Sequence, residues 1–133
     1  MFDFKFDWDE SISVGVEEID EQHKELFKIA RDIEQMVLIR CYGITSEMVI
    51  QVLAKLREYT TYHFYFEELF IRQMDPQYLK EHQEKHKKFR NIILSFNNDK
   101  LKKSPNEVLV EIRDFLKRWL FEHIVIEDKK VFK

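Results

Sequence analysis

All five histidines of this 133-residue chain fall on apolar faces of helix-like segments, and two carboxylates accompany them at fixed spacings. His63 is followed four residues on by Glu67, His82 by His86 at the same interval, and His123 by Asp128 after five, while His23 stands apart. Imidazoles and carboxylates bind transition metals, and both are costly to bury without a partner. A solitary histidine on an apolar stripe is ordinarily a hydrogen-bonded core residue, and Glu67 alone reads as a solvated charge beside Glu68. Seven such groups directed at one core read instead as metal ligands: His23, His63, Glu67, His82, His86, His123 and Asp128.

Residues four apart stack on one helix face, so His63 with Glu67, and His82 with His86, each direct two donors at one point. The five-residue step is different, because an ideal helix turns Asp128 about 140° away from His123. It works if the helix loosens near Glu127, or if Asp128 reaches sideways to a second metal. Seven ligands are too many for one tetrahedral zinc and too few to saturate two octahedral ions, so two metals bridged by the carboxylates are the economical arrangement. The ferritin-like di-iron pattern needs Glu-x-x-His twice, yet Asp20, Thr60, Leu79, Gln83 and Leu120 stand three before the histidines. His82-Gln83-Glu84-Lys85-His86 lacks the glutamate that a zinc-protease helix carries directly after its first histidine.

The elements that must position these groups are helices. The first is expected from near Asp20, with Ile19, His23, Leu26, Phe27, Ala30, Ile33 and Val37 at three-and-four spacing, ending before Gly43. Thr45-Ser46-Glu47 opens a second, which runs through Val49, Leu53, Leu56, His63, Glu67 and Ile71 to Met74. Asp75 as N-cap and Pro76 at the first position open a third, with Leu79, His82, His86, Phe89, Ile93 and Phe96 on one stripe, dissolving at Asn97-Asn98-Asp99. Ser104-Pro105-Asn106-Glu107 has the form of a capping box before the fourth stripe of Val108, Ile112, Phe115, Leu116, Trp119, Leu120 and His123. The expected fold is all-α: an antiparallel up-down-up-down four-helix bundle over 18–133, preceded by an extended arm over 1–17 that packs Phe2, Phe4, Phe6 and Trp8 on it.

Composition agrees. Two glycines and two prolines leave room for few turns, and the length suits a single domain, residues 1–133. A net charge of −3 with interleaved signs lacks the basic stripe of a nucleic-acid binder, so nucleic acid is excluded as a partner. The acidic, aromatic start has no signal-peptide pattern and no run of about 18 apolar residues occurs, which points to a cytoplasmic protein without membrane contact. Cys41, the single cysteine, excludes a disulfide framework and reads as an ordinary structural residue in a reducing compartment.

Nearly the whole chain resembles the hemerythrin family, specifically its bacterial branch. The shared features are Trp8, Ile19-Asp20-Glu21-Gln22-His23, His63-Phe64-x-x-Glu67-Glu68, His82-x-x-x-His86 and Trp119-Leu120-x-x-His123-Ile124-x-x-x-Asp128. The resemblance implies two non-haem irons joined by an oxo or hydroxo bridge, one held by His82, His86 and His123, the other by His23 and His63, with Glu67 and Asp128 across both. It further implies that O2 binds reversibly at the two-histidine iron, for oxygen storage, transport or delivery. Phe64, Leu120 and Ile124 would wall that position, with Phe27 and Trp119 near, while Tyr59 reads as a core aromatic. A sensor acting through a partner protein is the principal competing role, and a peroxidase-like or nitric-oxide-handling enzyme is the third. An unidentified protein partner or an electron donor is a further expected partner. Two apolar runs, Met36-Val37-Leu38-Ile39 and Tyr62 with Phe64, Tyr65 and Phe66, exceed one core stripe and motivate a helix-face dimer contact, the expected state being a monomer or a weak homodimer.

Overall fold

The computed structural model describes residues 6–39, 43–128 and 131–132. Five helices carry the chain: α1 (Glu17–Ile39), α2 (Ser46–Met74), α3 (Leu79–Ser95), the short α4 (Asp99–Lys103) and α5 (Pro105–Leu120). Beyond α5 the chain continues helically but with a wider turn, a π-helical segment over Phe121–Asp128. The four long helices form the expected all-α bundle, in which α1 packs on α2 and α5, and α2 on α3.

Local chemistry sets most of the boundaries. Thr45 caps α2, its side-chain oxygen accepting from the Met48 amide at 3.2 Å. Gly43 sits at φ +96°, a left-handed turn residue that a side chain would strain. α1 begins at Glu17, three residues before Asp20, which frees that carboxylate to accept from Ser13 Oγ and from the Val14 amide at 2.9 Å. This pair staples the arm to the helix start. The arm itself carries a 3-10 turn at Glu10–Ile12, capped by Asp9, rather than being extended throughout. Its Phe6 is buried, and Trp8 meets Phe27 with ring centroids 6.1 Å apart; Phe2 and Phe4 lie outside the described residues, as does Cys41.

Three further expectations need correction. Pro76–Tyr78 form a 3-10 turn before α3, and Asp75 makes no side-chain cap bond. Ser104 likewise makes none at the head of α5, where Pro105 at the first turn supplies the preset φ instead. The stretch after Asn98 is a short helix, because the Asn98 side chain accepts from the Lys100 and Leu101 amides and Leu101 can be buried.

Phe27, Ile33, Leu56, Phe89, Leu109, Ile112 and Leu116 fill the interior of the bundle. Each contributes about 1.5–3 kcal/mol of apolar burial. A second cluster of Val14, Ile19, Ile71, Val131 and Phe132 closes the other end. Of the second apolar run, Phe64 turns inward while Tyr62 and Tyr65 remain exposed, and in the first run Leu38 is exposed with Met36 and Val37 partly covered.

Candidate metal centre

The seven polar groups meet between the two apolar clusters. α1 supplies His23, α2 His63 and Glu67, α3 His82 and His86, and the π-helical segment His123 and Asp128. Each is at most 3% exposed, five of them at 0%, which decides against a solvated role for Glu67.

The awkward spacing is resolved by the first route the sequence left open, a loosened helix end. A π-helical turn closes on the fifth residue, so loosening Phe121–Asp128 brings Asp128 back onto the face of His123, and Asp128 Oδ2 lies 3.4 Å from His123 Nε2. The same carboxylate also reaches sideways, with Oδ2 3.0 Å from His23 Nε2 and Oδ1 3.2 Å from His82 Nε2. Its backbone is held by the chain end, since the Asp128 carbonyl accepts from the Phe132 amide at 3.0 Å and Phe132 is buried.

Glu67 occupies the complementary position. Its Oε1 lies 3.1 Å from His86 Nε2 and 3.2 Å from His123 Nε2, whereas Oε2 lies 3.1 Å from His63 Nε2 and 3.6 Å from His23 Nε2. One oxygen therefore faces each of two imidazole sets. Two compact donor groups result: His23, His63, Glu67 and Asp128, and Glu67, His86 and His123, the ligand atoms within each group all lying within 4.8 Å of one another. His82 joins through Asp128.

The outer imidazole nitrogens fix the direction of the inner ones. His86 Nδ1 donates to Glu68 Oε2 at 2.7 Å, His63 Nδ1 to Gln22 Oε1 at 2.7 Å, and His82 Nδ1 to the Tyr78 carbonyl at 3.3 Å. With Nδ1 protonated, a neutral ring turns its Nε2 lone pair inward, toward carboxylate oxygens. At His63 acceptor then faces acceptor, and Nε2 of His23, His63 and His123, with Oε2 of Glu67 and Oδ2 of Asp128, are buried without a hydrogen-bond partner among the described residues. A cation bound among them would satisfy them. Separations near 3 Å are also what two donors span when both lie about 2.1 Å from one ion at right angles. The residues fit a metal centre.

Electrostatics points the same way. For His23, burial opposes the charged form, but the carboxylates of Asp128 and Glu67 beside it prevail and raise its pKa to about 9. Burial dominates at His63 and lowers its pKa. Glu67 is held well below the carboxylate range despite its burial, by His123 and His63 above all. The site is built for positive charge.

Phe64 stacks on His86 with centroids 3.9 Å apart, and Trp119 stacks on His123 at 4.4 Å. Leu120, Ile124 and Phe27 are buried in the same cluster as Phe64. A cavity of about 670 Å³ opens between α3 and α5 over Phe89, Phe115 and Trp119 and reaches His123, with the 2.7 Å Lys85–Glu127 ion pair at its rim. Tyr59 is partly buried against the core, and burial together with Glu25 pushes its hydroxyl up to about 12. Sequence reasoning gave no role to Gln22 and Glu68. Their signal was position, since each directly adjoins a candidate ligand.

A helical bundle with a buried histidine–carboxylate cluster defines a metal-binding class. The sequence model of the hemerythrin HHE cation binding domain matches residues 14–133, and the chain belongs to that family. It is 26% identical over 125 residues to a bacteriohemerythrin of Clostridium acetobutylicum, covering 94% of this chain and 97% of the relative. A bacteriohemerythrin of Pseudomonas paraeruginosa is 27% identical over 124 residues, with 91% and 75% covered. A hemerythrin-like protein of Naegleria gruberi is 27% identical over 125 residues, with 94% and 89% covered. Among the described residues no helix is long and apolar enough to cross a membrane.

Proposed function

We propose that this protein binds O2 reversibly at a non-haem di-iron centre, for storage, transport or delivery, and is not primarily an enzyme. His82, His86 and His123 would hold one iron and His23 and His63 the other, with Glu67 and Asp128 spanning both. The observation that carries the proposal is the split of Glu67, whose two oxygens each face a different imidazole set. Asp128 also reaches both sets without dividing them as cleanly, its Oδ1 on His82 and its Oδ2 on His23 at 3.0 Å and on His123 at 3.4 Å. When bound, the irons supply the electrons for a reversible reaction with O2.

The protein's own contribution is positioning and exclusion. Three outer hydrogen bonds hold His63, His82 and His86 with their donor nitrogens inward, so little reorganisation accompanies metal uptake. Phe64, Leu120, Ile124 and Phe27, each at most 1% exposed, bring neither water nor acid to the centre, which favours release of O2 over its further reduction. Trp119, stacked on His123, adds an indole N–H as the one polar group of that wall. Elemental analysis of the purified chain tests the stoichiometry: two irons per chain are expected, and a single zinc would refute the proposal.

A further inference from the structure

The groups behind the imidazoles differ in charge between the two halves of the centre. Behind His86 stands Glu68, a carboxylate at 2.7 Å whose other oxygen accepts from Gln83 Nε2 at 3.3 Å. Behind His63 stands Gln22, a neutral amide at the same 2.7 Å and only 6% exposed. His82 has a neutral backbone carbonyl, and the Nδ1 atoms of His23 and His123 have no hydrogen-bond partner among the described residues. Among the described residues a carboxylate therefore backs only His86.

We propose that Glu68 and Gln22 are opposed positioning residues that set the redox balance of the centre, Glu68 favouring the ferric and Gln22 the ferrous state. The inference rests on the di-iron proposal above. An anionic acceptor draws the Nδ1 proton toward itself and makes the opposite nitrogen a stronger donor, which stabilises the more highly charged ion. An amide orients the ring equally well without that added basicity. The arrangement is built from the backbone: Gln22 adjoins His23 on α1 but reaches His63 on α2, and Glu68 adjoins Glu67 on α2 but reaches His86 on α3. Each residue thus ties the metal-facing ring of the next helix.

The test uses the iron-loaded full chain and three variants. Glu68→Gln keeps an acceptor for His86 and removes its charge, while Gln22→Glu adds a charge behind His63. Redox titration is expected to show Glu68→Gln favouring the ferrous state by about tenfold, a rise of about 59 mV for a one-electron step. Gln22→Glu should move the potential in the opposite direction. Glu68→Leu, which removes the acceptor altogether, should weaken iron binding in chelator competition by about 10- to 100-fold. The melting temperature of metal-free Glu68→Gln at alkaline pH, where His86 needs only an acceptor, should stay close to that of the parent, separating a redox role from a purely structural one. Should buried Gln22→Glu not fold, the partly exposed Glu68 decides the matter alone. Unchanged potentials in variants that hold two irons, or shifts of the same sign in both, overturn the inference and leave the di-iron centre standing. A parent chain that takes up no iron pair overturns both.

Discussion

Stripping the metal and raising the pH should destabilise this protein, and the size of the loss follows from His23. Its pKa rises from 6.5 to about 9 because, against the cost of burial, Asp128 and Glu67 hold the imidazolium. A histidine raised on folding adds stability that is fully present below its unfolded pKa and disappears as pH climbs through the folded one. At about 1.4 kcal/mol per pH unit, the window from 6.5 to 9 carries about 3 kcal/mol. His82 and His86 are raised as well and act in the same direction. His63 is lowered, so its contribution is lost only as pH falls below 6.5 and does not offset the loss above it. For a domain of this size the melting temperature of metal-free protein should drop by about 10 °C between pH 6.5 and 9. Iron-loaded protein should not show this drop, because metal binding requires the same imidazoles to be neutral and strengthens as protons leave. Differential scanning calorimetry at a series of pH values, with and without chelator, reads both curves. A metal-free curve flat from pH 6.5 to 9 would refute the reasoning about His23.

Asp128→Asn removes one of the two buried carboxylate charges while keeping volume, and on the proposed function iron content should fall to one per chain or fewer, measured by elemental analysis after dialysis. Phe64→Ala opens a cavity beside His86 and should cost about 3–5 kcal/mol in denaturant unfolding; it should also speed loss of the oxygenated form by admitting water. Tyr62, Tyr65 and Leu69 are exposed on α2 at 53%, 66% and 40%, apolar surface that weak pairing would cover. Sedimentation should show a concentration-dependent dimer that Tyr65→Lys abolishes, and a strict monomer in the parent chain would exclude that contact.

Four of the seven polar groups were legible from spacing because a helix repeats on nearly four residues, so His63 with Glu67 and His82 with His86 declared a shared face. Asp128 was only half legible. Its five-residue step signalled a departure from α-helical geometry, but nothing local in Phe121–Asp128 says whether the turn widens or the side chain reaches. Tertiary packing of the chain end decides, since burial of Val131 and Phe132 anchors the segment from beyond it. The short helix at Asp99–Lys103 went unseen because Asn98, which caps it, stands in a run that also suits a plain turn. Gln22 and Glu68 were invisible as partners of His63 and His86 for a simpler reason. Their bonds span 41 and 18 residues, and only the packing of α1 on α2 and of α2 on α3 brings them together.

The central claim is reversible O2 binding at paired irons, and one optical experiment addresses it directly. Iron-loaded, reduced protein is scanned under argon, after admission of O2, and again after the O2 is flushed away. A visible charge-transfer band that grows with O2 and fades when it is removed is predicted, over at least several cycles. No spectral change on oxygenation, or an irreversible one on the first exposure, would contradict the account.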